Sequence, residues 1–156
     1  MPRLETLSEI QRKSMLFFPC LEYDSIPWSP LTRELSRCKV ALVTSAGLHR
    51  RCDPPFQSAD PSYRVIPSDT PAAELIQSHT SIGFDRTGIY RDINTTLPLD
   101  RMRELAESGA IGGVARNYYS FMGAQRDPSR AINETGPEVA RLMQDEGVDL
   151  VFLTPT

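Results

Sequence analysis

The closing stretch of the chain, TGPEVARLMQDEGVDLVFLTPT (Thr135 to Thr156), constrains the fold most. Thr135 and Glu138 have the spacing of a capping box, Pro137 suits a first helical turn, and Val139, Leu142 and Met143 fall on one face. Gly147 ends the helix, and Val148 to Leu153 is then an apolar run of strand length, expected to be buried. Helix, glycine turn and apolar strand form one α/β unit. The expected fold class is therefore α/β, a mostly parallel open sheet covered by helices on both faces.

A second apolar run, Val40 to Val43 in KVALVTSAGLHRRCDPPF (Lys39 to Phe56), has the length of a central strand, and Thr44 to Gly47 lets the backbone turn where it emerges. The carboxyl end of such a strand is where open α/β sheets bind ligands. Before it, Leu4, Leu7 and Ile10 suit a short amphipathic helix from Leu4 to Met15. Leu16 to Leu31 follows as an extended arm, because Pro19, Pro27 and Pro30 forbid a continuous helix, with Phe17, Phe18 and Trp28 set to pack into the core or a partner's groove. Residues 1–38 are thus expected to be a helix and arm, and 39–156 the α/β domain.

Ala46 to Ser62 reads as a long loop with three prolines, YRVIP (Tyr63 to Pro67) as a strand, and Thr70 to Gln77 as either a short helix or a strand. Ser78 to Leu97 is a second long loop. Two such loops in one compact domain point to function, since most connections run to about 4–6 residues. Pro98 to Ser108 is the clearest helix, with Leu99, Met102, Leu105 and Ala106 as its apolar stripe, Asp100 and Glu104 facing water, and Gly109 as its stop. Val114 to Phe121 is strand-like, weakest at Arg116 and Asn117.

A net charge of −3 argues against nucleic-acid binding, and no apolar run approaches the roughly 20 residues that span a bilayer. The first residues carry both signs of charge and no apolar signal core, so the cytoplasm is the expected compartment. Three cysteines, Cys20, Cys38 and Cys52, without CxxC spacing, and two histidines predict neither a disulfide framework nor a metal site. No glycine-rich phosphate fingerprint follows Val40 to Thr44, which weighs against a nucleotide-binding domain.

Each histidine sits in one of the long loops among charged neighbours. His49 has Arg50, Arg51 and Asp53; His79 has Asp85, Arg86, Arg91, Asp92 and Asn94. Imidazole moves protons near neutrality, and a guanidinium holds a carboxylate through paired hydrogen bonds. Cys52 has cationic neighbours that would stabilise a thiolate. The plainer alternative is that these polar side chains only satisfy backbone groups within the loops.

LVTSAGLHRRCDPPF, DPSYRVIP, SHTSIGFDRTGIYRDIN, LPLDRMRELAESGAIG, YSFMG and GVDLVFLTPT, in this order from Leu42 to Thr156, resemble the selenoprotein B family of glycine, sarcosine, betaine and D-proline reductases. The resemblance implies a three-layer sheet of Rossmann-like or flavodoxin-like kind, incomplete here. It also implies reductive C–N cleavage of a small amino acid, with a redox selenocysteine, or cysteine in some members, directly after the strand ending in VFLTPT. The chain is thus expected to be the part of a longer subunit that precedes an in-frame UGA, and to be poorly soluble alone. A partner subunit would carry a pyruvoyl group as electron sink. In that setting His49 and His79 are candidates for proton transfer, and Arg50, Asp53, Asp85, Arg86, Asp92 and Asn94 for substrate binding. The competing expectation is a non-catalytic domain that binds a ligand or a partner.

Overall fold

A computed structural model describes residues 4–17, 22, 24–26, 29–81 and 84–155. The chain divides into two units, Met1–Pro30 and Leu31–Thr156. In the first, α1 (Glu9–Leu16) begins on a reciprocal cap that the sequence reading had not identified. The Gln11 N–H donates to the Ser8 hydroxyl, and the Ser8 N–H donates to the Gln11 side chain. The arm residues Phe18 and Trp28, and Cys20, lie outside the described residues.

The second unit is built around β1 (Lys39–Thr44), whose apolar residues are buried on both faces as its unbroken hydrophobic run requires. One edge of β1 pairs in parallel with β7 (Leu150–Thr154), from Val40 opposite Leu150 through Thr44 opposite Thr154. A strand has two edges, so β5 (Gly113–Val114) and β6 (Asn117–Phe121), also parallel, share the other. Between Val40 opposite Val114 and Val43 opposite Tyr119 the register slips by two residues, and the ladder breaks at Ala115 and Arg116, the second of which the sequence pattern marks as weak, whereas Asn117 begins β6. Beyond β6, β3 (Tyr63–Pro67) pairs antiparallel, which keeps Pro67 at a strand end on the sheet's margin. The sheet is mixed and mostly parallel, in the spatial order β3, β6, β1, β7.

Helix α3 (Leu99–Glu107) leads into β5, and α4 (Gly136–Asp145) leads into β7. The two crossovers run in opposite directions from the centre of the sheet, and right-handed connections place their helices on opposite faces. Adjacent residues of β6 agree with this. Tyr118 lies in the core with Leu99 and Met102 of α3, while the Tyr119 ring meets Tyr63, whose phenol lies beside Glu138 of α4. Gly109 and Gly147 end the two helices with φ of +73° and +75°.

Several expectations are corrected. The Ala46 to Ser62 loop contains β2 (Leu48–Arg50), and Thr70 to Gln77 holds both a 3₁₀ turn, Ala72–Glu74, and β4 (Leu75–Gln77). The two strands pair antiparallel, and strands this short owe their form to the partner rather than to local periodicity. The second loop contains α2 (Thr87–Arg91) and a 3₁₀ turn at Ile93–Thr95. The Thr135 capping box does not form: a π-turn over Ala131–Thr135 already brings helical backbone to this point, and the Thr135 hydroxyl donates instead to the Pro61 carbonyl at 3.1 Å. Asp100 is partly buried, held by Asn94 and Arg103, and Leu105 is exposed. Nor is β7 buried. Among the described residues it pairs with β1 alone, and Phe152 and Leu153, on opposite faces, are 51% and 65% exposed.

Candidate functional site at the carboxyl edge of the sheet

The carboxyl ends of β1 and β7 are tied by their terminal threonines. Thr44 Oγ1 donates to the Thr154 carbonyl at 3.2 Å, and Thr154 Oγ1 donates to the Thr96 carbonyl at 2.7 Å. From there the chain turns through Ala46 and Gly47 across the end of β6, where the Gly47 N–H donates to Phe121 O and the Leu48 N–H to Ser120 Oγ, each at 2.9 Å. The β2–β4 ribbon is thereby fixed just beyond the sheet, and both histidines belong to it or follow it. Gly47 permits a close approach. Its φ is +65°, and a Cβ there would lie 3.1 Å from His79 N and Cα.

His49, on β2, is 4% exposed. Its Nδ1 lies 2.8 Å from the Arg50 carbonyl, which can only accept, so in the neutral ring Nδ1 carries the proton and Nε2 the lone pair. His79, two residues beyond β4, is 3% exposed and has the opposite arrangement. Its Nδ1 accepts the Ser81 N–H at 3.2 Å, which leaves the proton of the neutral ring on Nε2. The ring stacks on Phe84 at 4.3 Å. Burial, and secondarily the charge of Arg86, pushes the His79 pKa down, so the ring is neutral at pH 7. Among the described residues neither Nε2 has a partner.

The structure separates the other predicted residues into three groups. Arg50 and Asp53 form a fork, Nε to Oδ2 at 3.0 Å and Nη2 to Oδ1 at 2.8 Å, and these hydrogen bonds hold the Asp53 carboxyl below its usual range against the effect of burial. The Cys52 thiol is exposed, 3.8 Å from Asp53, beside a cation that is already paired. Arg86 Nη2 donates to the His79 carbonyl at 2.6 Å and fastens the second loop to the ribbon. Asp85, Asp92 and Asn94 work locally: Asp85 accepts the Thr87 N–H and Asp92 the Asn94 N–H, both carboxyls being lowered by those bonds, and Asn94 binds Asp100 at the start of α3.

Sequence reasoning missed a groove of about 550 Å³ beside the ribbon, between β4 and the α2 segment. Leu48, Leu75, Ile76, Ile89 and Ile93 contribute apolar lining, and Arg51, Gln77, Tyr90 and Arg91 the polar lining. The ribbon creates it, and the signal that could have revealed it is the alternation in LHR and LIQ on either side of the proline-rich loop. No group of three or more His, Cys, Asp or Glu among the described residues is placed to hold a metal ion, and none of their helices is long and apolar enough to cross a membrane.

Fold and site together define an α/β domain whose carboxyl-edge loops present two buried imidazoles and several guanidinium groups. Residues 10–156 match the family described as glycine/sarcosine/betaine reductase selenoprotein B, and the chain belongs to that family. It is 44% identical to the D-proline reductase subunit gamma of Acetoanaerobium sticklandii over 81% of this chain and 52% of that one. It is 31% identical to the sarcosine reductase complex component B subunit beta of Peptoclostridium acidaminophilum, and 32% to the glycine reductase complex component B subunit gamma of Symbiobacterium thermophilum, each over 89% of this chain and 33% of the relative. The chain thus spans about half the length of the first relative and a third of the other two. No solved structure matches it.

Proposed function

We propose that this chain acts as a subunit of a selenol- or thiol-dependent reductase that cleaves the C–N bond of glycine, a methylated glycine or D-proline, assembled with other reductase subunits of which one bears a pyruvoyl group. Family membership sets the class of reaction. The observation that carries the reading to this site is the pair of buried histidines whose Nε2 atoms present one lone pair and one proton. Cleaving a C–N bond reductively needs two electrons and two protons. The pyruvoyl group would supply the electron sink and the redox selenocysteine or cysteine of the family the attacking electron pair.

The chain's own residues handle the protons and the substrate. His49 Nε2 accepts a proton, and neutral His79 donates one from Nε2. Arg50 retains Nη1 beyond its fork with Asp53, and Arg86 retains Nη1 and Nε beyond its bond to His79, so each can still meet a substrate carboxylate. Asp53, Asp85, Asp92 and Asn94 hold the loops that position them. The setting is cytoplasmic, where thiols such as those of Cys38 and Cys52 stay reduced.

The test is turnover by the assembled complex purified with this chain in it, supplied with a dithiol reductant and each of glycine, sarcosine, betaine and D-proline. Consumption of one of them, with His49→Gln and His79→Gln each lowering kcat by about 10²–10⁴ fold, is expected. A complex silent toward all four would overturn the reading and leave a non-catalytic binding domain.

A further inference from the structure

The ladder between β2 and β4 shows which backbone groups of β4 are already used. At its two ends the Ser78 N–H donates to Gly47 O at 3.0 Å and the Arg51 N–H to Glu74 O at 2.9 Å. Bonded pairs alternate along an antiparallel ladder, so His49 opposite Ile76 is the bonded pair between them, and Leu75 and Gln77 turn their N–H and C=O groups away from β2. The Leu75 N–H is taken by the Ala72 carbonyl. The Leu75 carbonyl and both backbone groups of Gln77 make no hydrogen bond to a described residue, and among those residues β4 has no second strand beside it. This free edge borders the groove. Side chains alternate between the faces of a strand, so only an edge brings three consecutive residues, Leu75, Ile76 and Gln77, to one lining.

The facing wall is the α2 segment, with Ile89 and Ile93 half-buried and Tyr90 77% exposed. Two cations line the groove as well. Arg51 donates from Nε to the Ala73 carbonyl at 3.3 Å and keeps its terminal nitrogens, Arg91 makes no ion pair among the described residues, and no acidic side chain belongs to the lining. A free strand edge is answered by another main chain, apolar walls by alternate apolar side chains, and unpaired guanidinium groups by carboxylates. We propose that this groove is a docking site for an extended acidic segment of a partner subunit, added as a third strand along β4, with its carboxylates on Arg51 and Arg91. A second copy of this chain answers the charge poorly, because its own edge strands, YRVIP in β3 and LVFLT in β7, hold no carboxylate. The relatives named above are subunits or components of reductases, which is the setting such a segment requires. The inference goes beyond the proposed reaction and needs from it only that this chain works beside other subunits.

The experiment compares the full chain alone with the complex purified with this chain in it. Amide hydrogen exchange at Gln77 should be at least about tenfold slower in the complex, because the added strand takes its N–H. A benzophenone amino acid substituted at Tyr90 should cross-link to one segment of a partner subunit in which Asp or Glu alternates with apolar residues. Arg51→Glu combined with Arg91→Glu should weaken assembly by at least about tenfold in analytical ultracentrifugation, since two attractions become two repulsions. Arg101→Glu combined with Arg141→Glu, exposed cations outside the groove lining, should leave assembly unchanged. Circular dichroism checks that both double variants fold, and the exchange and cross-linking results decide the matter without them. Gln77 exchange unaltered by assembly, cross-links only to a second copy or to a segment without carboxylates, equal losses in the two double variants, or a chain that recovers no partner would overturn the inference. Protection of Gln77 in a complex silent toward glycine, sarcosine, betaine and D-proline would keep the docking site and refute the reductase reading; turnover with Gln77 unprotected would do the reverse.

Discussion

Gly47→Ala tests how the site is positioned. The substitution forces an L side chain into φ +65°, a left-handed conformation that costs about 1–2 kcal/mol. It also sets a methyl carbon 3.1 Å from His79 N and Cα, inside the 3.5–4.0 Å or so of an ordinary carbon contact. The opposing atoms are backbone, so relief requires the segment after β4 to move away from the ribbon. Together these effects should cost about 2–3 kcal/mol, a fall in Tm of roughly 4–10 °C for a domain of this size. Gly109→Ala is the control. Its φ is +73°, but a Cβ there meets nothing within 4 Å, so only the backbone cost of about 1–2 kcal/mol applies. Thermal unfolding gives the two losses. Moving His79 outward also readmits water, so its imidazole titration, followed by NMR, should rise toward the ordinary histidine value in Gly47→Ala and stay in place in Gly109→Ala. Equal losses of Tm, or a large loss with the His79 titration unmoved, would refute the argument that Gly47 is required by the approach of His79.

Because the folded pKa of His79 is depressed, the unfolded chain binds the extra proton as pH falls below about 6.5, and stability should fall with it; His79→Phe should flatten this part of the pH profile of denaturant unfolding. Asp53, whose folded pKa is lowered by Arg50, stabilises above its unfolded value, and the contribution is lost progressively as pH falls below about 4; Asp53→Asn, discounted for the 37% exposure of Arg50, should cost about 1 kcal/mol at pH 7 and progressively less as pH falls below about 4. Tyr118 is wholly buried, burial pushes its pKa up to about 12, and its hydroxyl has no partner among the described residues, so Tyr118→Phe should leave the stability unchanged or raise it by up to about 1 kcal/mol, and a loss above 1 kcal/mol by denaturant unfolding would show a hidden partner.

Elements that carry their own pattern were legible in the sequence. The apolar run at Val40 to Val43, the helix after Pro98 and the glycine stops at Gly109 and Gly147 all depend on local chemistry, and each appears where the residues put it. The parts that were not legible depend on distant partners. β2 and β4 are each a strand because the other is there, and α2 arises where Asp85 accepts the Thr87 N–H within a loop of no periodicity. The same division holds for the site. Charged neighbours marked His49 and His79, but nothing local shows that Nδ1 donates in one and accepts in the other. Arg91 and Gln77 reach one groove only because the ribbon folds back, which a linear reading of the second loop could not supply.

The break between β5 and β6 sets a rule of parity on the length of this chain. Between the pairs Val40·Val114 and Val43·Tyr119, β1 advances by three residues and its partner by five, both odd. Side chains alternate with every residue, so the extra pair bends the strand without inverting it. Removing both Ala115 and Arg116 would preserve which way every later side chain points. Removing either alone would send Tyr118 toward α4 and Tyr119 toward α3, and carry Ser120, the acceptor for Leu48, to the wrong side of the sheet. The interruption can lengthen or shorten only in steps of two, and a single-residue change there would dismantle a ribbon that begins several strands away.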